Sequence, residues 1–272
     1  MQTNTLYYTI KRQKIGYIIT SPASKIISIA ALRFHASSLF YTIKTDMEFK
    51  NFFGTLSGNI KQNCIICQSC DLSLFSNNAA NGFFVKTADA ANATIIALKN
   101  NFLAGDAVLY LKKTACKNIF LFGGCGGCGD IESGDLLIID KAYNFESFSK
   151  MVSFDTNPGY FLSSEKLTSA FYKKNLYEDL IKTNSACVSS LLLESKYVKW
   201  FKENGVCAVD MESSVVFSAA KEIGVEAACF MYAADHIEKN PYGEISEDNL
   251  KKKISSGRKK LARMVTDFIN AK

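Results

Sequence analysis

Proline and histidine are scarce in this chain of 272 residues, and a long apolar run is missing altogether. The three prolines, Pro22, Pro158 and Pro241, are scattered, and no proline-rich or Gly/Ser-rich stretch reads as a linker between two halves. No internal repeat is found. A single α/β domain over residues 1–272 is therefore expected, long enough and, at 48% hydrophobic, apolar enough to bury one large core. The opening segment, MQTNTLYYTIKRQKIGYIIT, has polar and basic residues between its apolar ones and lacks the unbroken stretch of a signal peptide. Nothing reaches membrane-spanning length. The expectation is a cytoplasmic protein with no membrane partner.

The net charge of +6 owes much to the C-terminal NLKKKISSGRKKLARMVTDFINAK. There Leu250, Ile254, Leu261, Val265 and Phe268 recur at near-helical spacing with lysines between them, which predicts an amphipathic helix with a solvated basic face. No module for reading nucleic acid accompanies it, so no nucleic-acid partner is expected. IGYIIT (15–20), NCIICQ (63–68), KNIFLFG (117–123), DLLIID (135–140) and EAACFMYAA (226–234) are short β-branched or apolar runs and read as buried strands. Between them DAANATIIALKNNF, with Asp89 as N-cap, SEKLTSAFYKKNLYEDLIK, SKYVKWFKENG and MESSVVFSAAKEIG read as helices. Gly205 and Gly224 stand where left-handed C-caps belong. Alternating strands and helices predict a parallel or mixed sheet covered on both faces, with ligands beyond the strand ends.

Three loops lie at such ends: TSPAS (20–24), GGCGGCGD (123–130) and the pair formed by DMES and AAD. The glycine-rich one is neither a Walker A loop, since no Gly-Lys-Ser/Thr follows, nor a dinucleotide fingerprint. It is read equally well as a ligand cradle and as a tight turn between strands.

Taken together, NIFLFGGCGGCGDIESGDLLIIDKA and VSSLLLESKYVKWFKENGVCAVDMESSVVFSAAKEIGVEAACFMYAADHI resemble the nucleoside phosphorylase/nucleosidase superfamily. The resemblance runs from about Lys117 to Ile237 and more loosely over 15–73. It implies a three-layer α/β/α sandwich around a mixed, partly barrel-like sheet, assembled as dimers or trimers of dimers. It also implies cleavage of the N-glycosidic bond of a nucleoside, a purine one by preference, by phosphate or by water, with no cofactor. In that frame Glu212 holds the ribose hydroxyls and Met211 packs on the sugar; a carboxylate suits the task because its two oxygens can accept from vicinal hydroxyls at once. Asp210 is read as a helix cap. Asp235 matches the catalytic acid that relieves negative charge on the departing base. His236 reaches the 5′ side of the site or steadies its loop, and His35 packs on a helix.

Departures from the family pattern bear on the nucleophile. The arginine of its phosphate loop is gone from Thr20, Ser21, Pro22, Ala23 and Ser24, and a second falls at Leu121. A third, from a neighbouring subunit, falls near Met47, between Lys44 and Lys50. Any anion would have to rely on Thr20, Ser21 and the amides of Gly123 and Gly124, and water becomes a candidate nucleophile. The base-stacking aromatic is replaced near Leu192, and a glycine loop by CQSCDLS. Two alternatives stay open: a catalytically silent nucleoside-binding relative, and a metal or redox site built on Cys67, Cys70, Cys125 and Cys128 in the former phosphate pocket. Against the latter, Cys64 and Cys67 point to opposite faces of an extended strand.

Overall fold

The structure is a computed structural model and describes residues 46–146, 157–174, 179–241, 245 and 247–271. The chain divides into two compact units, Met1–Glu48 and Phe49–Lys272, and every element named below belongs to the second. The expected first strand (15–20), Thr20, Ser21 and His35 lie outside the described residues.

Ten strands form one sheet among the described residues. They are β1 (Asn63–Gln68), β2 (Ala80–Asn81), β3 (Val85–Ala90), β4 (Ala93–Leu98), β5 (Asn118–Gly127), β6 (Leu136–Phe145), β7 (Tyr160–Leu162), β8 (Leu180–Val188), β9 (Val206–Asp210) and β10 (Glu226–His236). Their order is β10-β6-β8-β9-β5-β1-β4-β3-β2, and β10 pairs a second time with β5, so that β10, β6, β8, β9 and β5 close into a barrel. The pairing is mixed: β5 lies parallel to both β1 and β10, whereas β6 meets β10 antiparallel.

The helices α1 (Ala104–Tyr110), α2 (Glu165–Lys173), α3 (Val198–Glu203), α4 (Ser213–Ile223) and α5 (Asp248–Asn270) cover this sheet. Strand periodicity decides which side chain meets which layer. Ile119 and Leu121 of β5, Leu137 and Ile139 of β6, and Cys229 and Met231 of β10 pack with α1 and α4. The residues between them, Phe120 and Phe122, Leu136 and Ile138, Ala228 and Phe230, pack with α2 and α5. The fold is thus the three-layer arrangement around a barrel-like mixed sheet that the sequence implied. A third cluster, with Phe145, Val188, Tyr197, Phe201 and Val209, seats α3 at the barrel end. Among the described residues no helix is long and apolar enough to cross a membrane.

Three expectations are corrected. DAANATIIALKNNF is not a helix capped by Asp89: Asp89 sits in β3, a turn follows, and Ala93–Leu98 is β4, buried along its whole length between β1 and β3. Its Thr-Ile-Ile run is β-branched, and a central strand buried on both faces shows no period-2 alternation to give it away. The helix expected through DLIK stops at Lys173, and Leu180 already belongs to β8. The glycine-rich segment 123–127 is not a loop but the end of β5, paired from Gly123 to Gly127 with β10.

The C-terminal helix forms as expected, with Leu261, Val265 and Phe268 inward. One close approach fixes its height on the barrel. A Cβ on Gly257 would lie 2.4 Å from the carbonyl oxygen of Gly134, itself at φ +94°, so only glycine lets α5 come this near. The next residue, Arg258, is thereby delivered to the end of β1.

Candidate active site

Asp210 ends β9, and its carboxylate is consumed by the start of α4. Oδ1 accepts from the backbone N–H of Glu212 and of Ser213, both at 2.7 Å, and Oδ2 from the Ser213 hydroxyl at 2.6 Å. Ser213 Oγ in turn lies 2.8 Å from Ser185 Oγ of β8. This is the capping role, and it leaves the neighbouring acid free for other work. Glu212 is 5% exposed; its Oε1 accepts from Gln68 Nε2 and its Oε2 from the Met211 N–H, each at 3.3 Å. Burial, with the Asp210 charge adding to it, pushes the Glu212 carboxyl up to about 7. Met211 is half-buried beside it.

Asp235 stands near the end of β10, just after a register shift between Ala233 and Asp235 that re-aims the side chain. Opposite it is Gly126, where a Cβ would come within 3.0 Å of Asp235 Oδ1. The carboxyl is 8% exposed and has no hydrogen-bond partner among the described residues. Burial raises it to about 6, with the neighbouring imidazole pulling the other way. His236 takes the loop-steadying role: Nε2 faces the Gly129 carbonyl at 3.2 Å, while Nδ1 accepts from the N–H of Glu238 and of Lys239, both at 3.1 Å. With both nitrogens engaged inside the protein, none is left for a ligand.

The residue that sequence reasoning missed is Glu194. It opens a short 3₁₀ turn (Glu194–Tyr197) and is 9% exposed, without a hydrogen-bond partner among the described residues. Burial and then the charge of Asp235 push it up to about 7. Leu192, chosen instead, is 85% exposed. The signal was available, because an acid inside LLLESKYV has apolar neighbours that draw it inward. Since Glu194 titrates near 7 when folded and near 4.5 unfolded, the folded state holds the extra proton between those values. Stability therefore falls as pH rises through that window. A Glu194→Gln variant is expected to melt higher than the wild type at pH 8 and indistinguishably at pH 4; equal melting temperatures at pH 8 would show that the carboxyl is not ionised against its burial.

Gly123 and Gly124 leave space along β5. Nothing lies within 4 Å of the Cβ that Gly123 lacks, although its backbone is buried, and the one Gly124 lacks would meet Ala234 and Tyr232 at 3.2–3.3 Å. Beyond them lies a cation the sequence did not point to. Arg258 Nε donates to Asp71 Oδ1 and its NH2 group to the Cys70 carbonyl, and Tyr232 Oη donates to Asp71 Oδ1 at 3.4 Å. Asp71 is 1% exposed, and its charge also bears on Glu212. The guanidinium is thus neutralised by an acid of its own.

The cysteines do not converge. Cys67 packs in the α2/α5 layer, Cys125 in the α1/α4 layer and Cys128 at the barrel end, while Cys70 is exposed. Burial raises the thiols of Cys67 and Cys125 well above their usual range and that of Cys128 to about 11. Among the described residues no three His, Cys, Asp or Glu side chains are grouped to hold a metal ion.

Solved structures share this architecture. Uridine phosphorylase from Vibrio fischeri ES114 superposes with a TM-score of 0.63 at 16% identity, over 79% of this chain and 94% of the other. The 5′-methylthioadenosine/S-adenosylhomocysteine nucleosidase of Campylobacter jejuni gives 0.61 at 15%, over 79% and 100%. The AMP nucleosidase of Bacteroides thetaiotaomicron gives 0.60 at 15%, over 81% and 96%. No curated protein matches the chain by sequence. The model of the phosphorylase superfamily matches residues 86–270, which spans β3 to α5 and takes in Asp235, Glu212 and Glu194, and the chain belongs to that superfamily.

Proposed function

We propose that this protein is a nucleosidase that hydrolyses the N-glycosidic bond of a purine nucleoside, with Glu212 holding the ribose and Asp235 acting as general acid. The observation that carries the reading is a pair of buried carboxyls without protein donors among the described residues, Asp235 near the end of β10 and Glu194, which feels the Asp235 charge. A purine base offers such a pair what it needs: a nitrogen, N7, that takes a proton as the base departs, and N–H groups that donate. As the bond between C1′ and N9 breaks, its electron pair moves into the base, the Asp235 proton goes to N7, and a water oxygen bonds to C1′ and releases its proton to solvent. The proton on Asp235 and the charge on Glu212 thus act at opposite ends of one substrate.

Water is favoured over phosphate by charge. Asp71, Asp210, Glu212, Glu194 and Asp235 cluster here, and the one arginine among them is bound by Asp71. A dianion would meet repulsion and, among the described residues that gather here, no guanidinium that is not already paired. Hydrolysis of the nucleoside needs no partner beyond substrate and water, and a homo-oligomer fits the superfamily resemblance. Incubation with purine and pyrimidine nucleosides, methylthioadenosine and adenosylhomocysteine, each with and without phosphate, tests the reading. Free base and free ribose, at a rate phosphate does not change, are expected; ribose-1-phosphate formed only with phosphate would overturn hydrolysis, and no cleavage at all would overturn the enzyme.

A further inference from the structure

A carboxylate that must accept from two ribose hydroxyls has to be held in one rotamer, and Glu212 is held at both oxygens. Each oxygen has two acceptor sites. Met211 N–H occupies one on Oε2 and Gln68 Nε2 one on Oε1, so one site on each oxygen remains for the 2′ and the 3′ hydroxyl. Gln68 is the last residue of β1, one position past the final β1–β5 pair of Cys67 with Phe122. The other end of its amide faces the Cys70 thiol, whose one proton is shared between Gln68 Oε1 at 3.8 Å and Asp71 Oδ2 at 3.9 Å, an arrangement that turns the NH2 toward the carboxylate. The segment carrying Cys70 and Asp71 is itself fastened to α5 by Arg258 and to β10 by Tyr232.

We infer that Gln68 is a positioning residue for the ribose acid: its amide, set by the Asp71–Arg258 clamp from the C-terminal helix, holds Glu212 in the rotamer and the ionised state that recognise a vicinal diol. This rests on the reading of Glu212 as the ribose anchor. Together with the Met211 N–H, the amide offsets the groups that disfavour charge on this carboxylate. Asp210 from β9 and Asp71 from the β1 end disfavour its charge, Cys229 from β10 offers no counter-charge, and Arg258 of α5 is spent on Asp71. Only Gln68 and the Met211 N–H favour ionisation.

Two variants test the inference, Gln68→Met, which keeps the length and removes the donor, and Gln68→Glu, which puts a second carboxyl in its place. For a ribonucleoside kcat/KM is expected to fall at least about tenfold in Gln68→Met, through KM, in line with loss of a hydrogen bond to a charged group. The 2′,3′-dideoxy analogue, which makes no demand on Glu212, should lose less than about threefold on the same grounds. Because the competent enzyme carries its proton on the more acidic Asp235, the basic limb of the pH profile reports Glu212, and that limb should move to higher pH in both variants, further in Gln68→Glu. Equal losses on both substrates, or an unmoved limb, would overturn the inference. Infrared titration of the Glu212 carboxylate band, assigned by its absence in Glu212→Gln, separates this from failure of the proposed activity. A wild type that cleaves nothing defeats the nucleosidase reading, whereas a band midpoint that is the same with and without the Gln68 amide defeats the positioning role.

Discussion

An Asp235→Asn enzyme is expected to lose roughly 10²–10⁴-fold in kcat, the range that a positioned general acid contributes. The substitution keeps the shape that Gly126 makes room for and removes only the proton that titrates near 6. The pH dependence follows from two carboxyls. Asp235 must be protonated and is so below about 6, whereas Glu212 must be ionised and is so above about 7. The competent form carries the proton on the more acidic group, and kcat/KM should peak narrowly between those values. The charge that Asp235 takes on near 6 helps hold the proton on Glu194 until about 7. The measurements are a kcat/KM profile from pH 4.5 to 9 for wild type and Asp235→Asn, with melting curves to confirm folding. A folded Asp235→Asn enzyme with wild-type turnover would remove Asp235 from the chemistry.

The proposed site was legible where a residue's type is out of place in its segment. Asp210 and Glu212 interrupt an apolar segment, and Asp235 stands one residue from the end of a mostly buried strand. The five-strand barrel was less legible, because closure depends on β5 pairing with both β9 and β10, and no local pattern encodes a partner a hundred residues away. β4 was misread for a related reason. A strand covered on both faces has no polar alternation, and its alanines and isoleucines serve a helix equally well. Gly123 to Gly127 read as a loop because glycine is poor at forming strands, yet β9 and β10 supply the partners that hold them extended. Arg258 was hidden for a different reason: in sequence it is one of many cations on a basic helix, and only the contact of Gly257 with Gly134 brings it to Asp71.

Replacing Glu212 by glutamine should separate activity from stability. A glutamine offers one oxygen where the carboxylate offers two, so it cannot take both ribose hydroxyls and keep its contacts to Gln68 and the Met211 N–H. Loss of two charge-assisted bonds, at about 1.5–3 kcal/mol each, places the expected fall in kcat/KM for a ribonucleoside at roughly 10²–10³-fold or more. The stability change has the opposite sign. Glu212 titrates near 7 in the folded chain against 4.5 for a free side chain, so the native state binds the extra proton between those values, and folding becomes less favourable as pH rises through them. Glutamine is never ionised and escapes that loss. Glu212→Gln is therefore expected to melt above the wild type at pH 8 and close to it at pH 4, while being the poorer catalyst at both. A variant that is inactive and also less stable at pH 8 would mean that the carboxylate is kept for structure. The predicted combination would mean that the chain tolerates a buried, strained charge because a ribose needs it.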